Sequence, residues 1–400
     1  VRRPEERHDL RVVWGLAGIW LAVLGMGWIV VTLPGVLGAQ NQVSLERGIF
    51  TAVNISTQTG FSQGFARPGL FAGWVQFFFV IQGLTGFLLS VWGGGILLSR
   101  WLGLGHSVKE LGWVSAAMLV FSGFLGIGSV FGDQPWWQGW VKGWSALGGW
   151  GETIAVAGED SSRWVLGAWI PLGILGAWGS VVGLELWNRL WKRNRLSGHV
   201  LRVLGVTAWV YVLGVGLMVG LLDGLHGARL MEFSRWVLSS LGMGNTSNYL
   251  SELPRGGDWI VLAVIWCGVG TLGTQGGLPI SWFKTLPRKH LEKLVGWIGV
   301  ELGVMLVGLV ILLRVEPALA VDRSLGLVIS AVFNVGHSHG AVSITGPGLL
   351  VLSGLMLFGR ILPLWVLGSW IAEQNTSLRE SEDHPYDGLW ITRQLRDKKS

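Results

Sequence analysis

The chain has 400 residues, 50% of them hydrophobic and 14% charged, with a mean hydropathy of +0.51. Ordinary soluble domains carry about 25% charged residues, so this composition excludes a soluble enzyme or nucleic-acid-binding domain and predicts a polytopic membrane protein. The net charge of +6 then reports topology, since the location of Lys and Arg orients a membrane protein, and the single cysteine, Cys267, excludes an intrachain disulfide.

Arg2, Arg3, Arg7 and Arg11 precede a first predicted span at about 12–33, longer than a signal-peptide core and without a small-residue cleavage site. Pro34 and Gly35 end it, and Ser44 is a candidate N-cap for a short helix. A second span follows at about 70–98, then Arg100, His106 and Lys109. Further spans are expected at about 111–130 and 164–187, separated by Asp133, Pro135 and a cluster of Trp136, Trp137, Trp140 and Trp144 that suits a membrane interface. Arg189, Lys192, Arg193, Arg195 and Arg202 form the most basic linker. Spans at about 203–222 and 259–286 come next, then Lys284, Arg288, Lys289 and Lys293. The last two expected spans, about 294–313 and 349–371, lead into a charged tail, 373–400, expected in water.

Between the paired spans lie pieces too polar and too short to cross a bilayer. The first runs Phe50-Thr51-Ala52-Val53-Asn54-Ile55-Ser56-Thr57-Gln58-Thr59-Gly60-Phe61. Similar pieces end at Gly148-Gly149-Trp150-Gly151, at Leu241-Gly242-Met243-Gly244 and at Phe333-Asn334-Val335-Gly336. Their terminal glycines, Gly60, Gly151, Gly244 and Gly336, stand 91, 93 and 92 residues apart in turn, the spacing of four internal repeats. Non-helical backbone at membrane depth is tolerated where protein buries it or where it lines a water-filled path. A half-helix followed by a turn of carbonyls is the construction of a cation filter.

Basic residues gather at the N-terminus, between repeats and in the tail, which places both termini on the cytoplasmic side. The expected fold is therefore an all-α membrane protein of four span–pore helix–span repeats around a central pore, with eight transmembrane helices and four re-entrant half-helices. The repeats are read as 1–105, 106–198, 199–290 and 291–372, followed by the tail. Each half-helix would aim its partially negative C-terminal end at the axis. No acidic residue falls in the four pieces, so backbone carbonyls would select the ion. The filter candidates are Thr57, Gln58, Thr59, Gly60, Gly149, Trp150, Gly151, Gly242, Met243, Gly244, Asn334, Val335 and Gly336.

These features resemble the Trk/Ktr/HKT superfamily of potassium transporters, over about Val12 to Ile371. Thr57, Thr59 and Gly60 match the family's first filter, and Ser330-Ala331 through Val335-Gly336 its fourth. The second and third match only at the final glycine. The stretch Gly268, Gly270, Thr271, Gly273, Thr274, Gly276 and Gly277 falls where the family has a glycine-rich intramembrane loop acting as a gate. Gly359-Arg360 with Pro363 matches its last span, where an arginine faces that loop. Leu278-Pro279-Ile280 stands where the family has a lysine. The resemblance implies K+, or sometimes Na+, crossing the cytoplasmic (inner) membrane through a homodimer held in lipid. It also implies a cytoplasmic nucleotide-binding regulatory subunit and no cofactor on this chain.

Other signals have plainer readings. Gly268 to Gly273 satisfies G-x-G-x-x-G, but a dinucleotide fold needs that pattern between a strand and a helix, and here it interrupts an apolar run. Arg360 lies well inside a span, and a charge there usually faces a partner or an aqueous cavity. Glu185 is expected to be solvated near a cytoplasmic end, while Glu301 has no evident partner. His337 and His339 are expected in a solvated turn at the outer mouth. No nucleophile, base or metal constellation supports an enzyme. A non-conducting membrane scaffold stays open as the alternative to a cation transporter, because two filters are irregular.

Overall fold

Apolar runs of membrane length become long helices, and the polar pieces between them become short ones. The computed structural model describes residues 4–33, 36, 43–63, 71–130, 136–150, 165–222, 227–242, 249–254, 256–269 and 288–383. In chain order the helices are α1 (Pro4–Thr32), α2 (Leu45–Ser56), α3 (Gly73–Trp101), α4 (Val108–Val130), α5 (Trp136–Gly148), α6 (Ile170–Lys192), α7 (Gly198–Leu221), α8 (Gly227–Leu241), α9 (Gly257–Val269), α10 (Arg288–Val315), α11 (Val321–Val332) and α12 (Gly346–Asp383). A π turn, Leu88–Gly93, lies within α3, and another, Val165–Trp169, leads into α6.

Among the described residues seven helices are long and apolar enough to cross a membrane: α1, α3, α4, α6, α7, α10 and α12. The eighth expected span, 259–286, is represented by α9 alone, which is 13 residues long. The remainder lies outside the described residues. The order long, short, long holds for α1–α3, α4–α6 and α10–α12, with α2, α5 and α11 as the short members; α7 and α8 begin a third round, of which α9 is the described part of the closing helix.

Burial separates the long helices into two sets. More than half of the most apolar stretch is buried in α3, α6 and α12, and a third or less in α1, α4, α7 and α10. Exposed Trp14, Ile19, Trp209, Leu213, Leu306 and Val310 give the second set the apolar surface that lipid tails require. Long helices of both sets pack on the short helices through glycines. A Cβ on Gly126 of α4 would collide with the carbonyl oxygen of Gly139 in α5, and one on Gly143 with that of Ser122. Small residues thus let these backbones touch where any side chain would hold them apart.

Three expectations change here. The last helix does not stop near 371 but continues to Asp383, into the stretch expected as tail. Glu185, expected in water, is buried. His106 Nε2 lies 3.3 Å from its Oε1 and the Ser197 N–H donates to its Oε2 at 2.7 Å, so the α6–α7 turn folds over it. Glu301 acquires a partner one helical turn away, accepting from Trp297 Nε1 at 2.7 Å.

Candidate functional site

The short helix α2 begins as its sequence predicts, with Ser44 Oγ accepting from the Arg47 N–H at 3.3 Å. Its other end is built in more detail. Gln58 takes a left-handed conformation, φ +59°, and the Gln58 N–H returns to the Ile55 carbonyl at 3.1 Å. The Thr59 N–H reaches back five residues to the Asn54 carbonyl, also at 3.1 Å. These two bonds are the Schellman termination of a helix. Gly60 follows with φ +78°.

The same termination recurs at the other pieces. In α11 the left-handed residue is Asn334, φ +53°, with Asn334 N–H to Ala331 O at 3.2 Å and Val335 N–H to Ser330 O at 3.0 Å. Gly336 then has φ +80°. In α5 the left-handed residue is Gly149, φ +69°, and the Trp150 N–H reaches Ser145 O at 3.1 Å. Gln58 and Asn334 hold this conformation without being glycine, at a cost of about 1–3 kcal/mol each. That strain is sustained only because the surroundings fix it.

Those surroundings are specific. Asn54 grips Phe61 across the turn, its Nδ2 donating to the Phe61 carbonyl at 3.0 Å and its Oδ1 accepting from the Phe61 N–H at 2.9 Å. Trp20 Nε1 donates to Ser56 O at 2.9 Å, and Gln82 Nε2 to Ala52 O at 2.9 Å. Thr57, Gln58 and Thr59 are wholly buried.

The ends of the short helices also meet. Thr59 Oγ1 and the Asn334 amide lie 2.8 Å apart, and a Cβ on Gly336 would collide with the Thr59 carbonyl oxygen and stand 2.8 Å from the Gly60 carbonyl carbon. Gln58 reaches the end of α5, its Nε2 lying 3.1 Å from where a Cβ on Gly148 would stand. Ser240 near the end of α8 is 3.2 Å from His337 Nε2, and Gly242 packs on the backbone of Gly173 and Ile174. Thus Thr57, Gln58, Thr59, Gly60, Gly149, Trp150, Asn334, Val335 and Gly336 fall in one connected cluster, while Gly242 packs beside it on α6. Gly151, Met243 and Gly244 lie outside the described residues.

Three glycines hold this cluster to the inner helices, and sequence reading singled out only Gly359 among them. A Cβ on Gly86 of α3 would collide with the Ser56 carbonyl, one on Gly176 of α6 with Leu147, and one on Gly359 of α12 with Val332. Ser56, Leu147 and Val332 each stand four residues before the terminal glycine of their own piece. The available signal was the recurrence of a glycine 23 to 26 residues beyond each terminal glycine, hidden among 63 glycines.

Arg360 is buried, as its place in the span predicts, and its fork is engaged. One terminal nitrogen donates to the carbonyl of Thr57, and the other to Ser90 Oγ at 2.8 Å. Its guanidinium therefore bridges the first piece and α3. Of the residues read as a gating loop, Gly268 is helical in the last turn of α9, which ends at Val269, so the helix extends two residues into that stretch. Gly270, Thr271, Gly273, Thr274, Gly276 and Gly277 lie outside the described residues.

His337 is not solvated, and His339 is only partly exposed. His337 is buried against the Trp236 ring, with centroids 5.5 Å apart, and burial pushes its imidazole down to about 4. His339 Nε2 sits 3.3 Å from Asp258 Oδ2. Among the described residues no group of His, Cys, Asp and Glu is arranged to hold a metal ion.

In overall structure the chain is similar to the potassium transporter TrkH from Vibrio parahaemolyticus. The TM-score is 0.65 at 16% identity, covering 90% of this chain and 83% of that one. No protein-family model matches the sequence, and no curated protein does. The likeness is one of fold: this is an all-helical, multi-pass membrane protein with a Trk-type fold.

Proposed function

We propose that this chain carries potassium, or sodium in its place, across the cytoplasmic membrane through backbone carbonyls at the ends of its four short helices. The observation that carries this reading is the repeated Schellman turn at α2, α5 and α11, with those ends interlocked. A helix C-terminus bears a partial negative charge, and a fixed set of carbonyl dipoles can replace the water around a monovalent cation. The filter would comprise Thr57 to Gly60, Gly149 to Gly151, Gly242 to Gly244 and Asn334 to Gly336. With no carboxylate in these pieces, selectivity falls to carbonyl geometry, which the buried bonds of Asn54, Trp20 and Gln82 hold fixed.

Arg360 supplies the barrier. Its guanidinium occupies the Thr57 carbonyl, so a permeating cation would compete with a tethered one for the same oxygen. Opening requires Arg360 to leave, and the glycine-rich stretch 268–277 is the natural segment to bring that about. The four repeats surround one pore, and both termini face the cytoplasm. A second copy completes a homodimer, and a nucleotide-binding subunit docks on the basic inner linkers around Arg189 to Arg195.

Purified protein in lipid vesicles, loaded with potassium or sodium, tests the reading. Cation flux is expected in the wild type, with Gly60→Ser shifting it toward sodium or lowering it. A wild type without flux of either ion would overturn the proposal and favour a non-conducting scaffold. The observation on that side is Trp150, whose buried ring stands where Thr59 and Val335 stand in the other pieces.

A further inference from the structure

Asn334 does more than end its helix. Its amide meets three groups: Thr59 Oγ1 at 2.8 Å, the Met356 carbonyl at 3.2 Å and the Arg360 backbone N–H at 3.3 Å. A carbonyl only accepts and an N–H only donates, so Nδ2 must face Met356 and Oδ1 must face Arg360. Nδ2 then also donates to Thr59.

Hydroxyl bookkeeping reaches the same orientation independently. Thr57 Oγ1 donates its only proton to the Val53 carbonyl at 2.7 Å. The contact between Thr57 Oγ1 and Thr59 Oγ1, 2.8 Å, must then use the Thr59 proton. Thr59 has nothing left to donate to Asn334 and can only accept from it. A single directed chain results, from Asn334 Nδ2 through Thr59 and Thr57 to Val53 in α2.

Met356 and Arg360 are one helical turn apart, the pair that an α-helix joins by its own backbone bond. The filter amide thus seats itself on the α12 backbone at the residue whose side chain holds the Thr57 carbonyl. Arg360 is tied to the first filter twice, through its guanidinium and through Asn334 and Thr59. Gly359, beside it, closes the arrangement by contact with Val332.

We propose that Asn334 is the positioning residue that couples filter geometry to the Arg360 barrier, so that the barrier cannot lift without rearranging Thr59 and Thr57. This inference rests on the conduction reading. A filter cut from α12 loses both the bonds that order Thr59 and Thr57 and its brace on the barrier, so it leaks and discriminates less.

Full-length protein in vesicles, assayed for potassium and sodium flux under equal gradients, tests it. Thr59→Val keeps shape and removes the hydroxyl, Asn334→Leu removes the amide, and Thr59→Ser keeps the hydroxyl. Loss of one buried hydrogen bond suggests a fall of about fivefold in the potassium-to-sodium flux ratio for Thr59→Val or Asn334→Leu. The double variant should fall no further than the worse single one, because both cut one link. Thr59→Ser should lose less than Thr59→Val. Asn334→Leu should also raise basal flux, and add nothing once Arg360→Ala is present. Additive losses, or an unchanged flux ratio with only reduced stability, would overturn the coupling while conduction stands. If Asn334→Leu fails to fold, Thr59→Val against Thr59→Ser decides, equal ratios in the two overturning the coupling. A wild type that carries neither ion removes the conduction reading and this inference together.

Discussion

Replacing Gly86 by alanine adds one methyl group in the middle of α3, and helix propensity alone would make that change favourable by about 1 kcal/mol. The structure reverses the sign. The new Cβ would collide with the Ser56 carbonyl oxygen and stand 3.2 Å from its carbon. That carbonyl cannot turn aside, because it belongs to the last residue of α2 and already accepts Trp20 Nε1 at 2.9 Å. Relief takes a separation of about 1 Å between α3 and the filter, in an interior that is close-packed. Overpacking of this kind costs about 1–3 kcal/mol, and the displaced group is one residue from Thr57. Gly93, in the same helix, is the control, since a Cβ there meets nothing nearer than 3.7 Å. Thermal unfolding in detergent and cation flux in vesicles should separate the two variants. Gly86→Ala should lower the melting temperature and reduce flux or selectivity, and Gly93→Ala should change neither by much. Wild-type flux, selectivity and stability in Gly86→Ala would refute the argument that the glycine exists to seat the filter.

Three further outcomes follow from named contacts. Arg360→Ala should raise basal cation flux, and Arg360→Lys should restore closure only in part, since an ammonium lacks the rigid fork that reaches Thr57 and Ser90 together; equal flux in all three proteins would count against the barrier. Asn54→Leu leaves the buried N–H and C=O of Phe61 without their partners, at about 1–3 kcal/mol each, and should lower the melting temperature by far more than the same change at an exposed site. His337, held near 4 by burial against an ordinary 6.5, is neutral when folded at pH 7. Its unfolded form takes up a proton first as pH falls, so its stabilisation is present above about 6.5 and is lost between there and about 4. Melting temperatures across that window should decline more steeply in the wild type than in His337→Gln, and identical slopes would remove His337 as a cause.

What the sequence determined by itself was set by local rules. The length of each apolar run fixes which segments can be spans, and seven of the expected eight appear as such among the described residues. Polar pieces ending in glycine at even intervals marked Gly60 and Gly336, because a left-handed turn imposes its demand on the residue that makes it. A charge at Arg360 inside a span announced a buried partner for the same reason. The identity of that partner was beyond the sequence, since Thr57 is 303 residues away and no local pattern joins the two. The same holds for Gly86 and Gly176, which read as ordinary small residues until the helices are packed. It also holds for Glu185 and His337, expected in water and found buried. Period and composition act over a few turns of helix, whereas close approach of two backbones and the burial of a lone polar group depend on which distant segment lies opposite. Only the tertiary structure decides that.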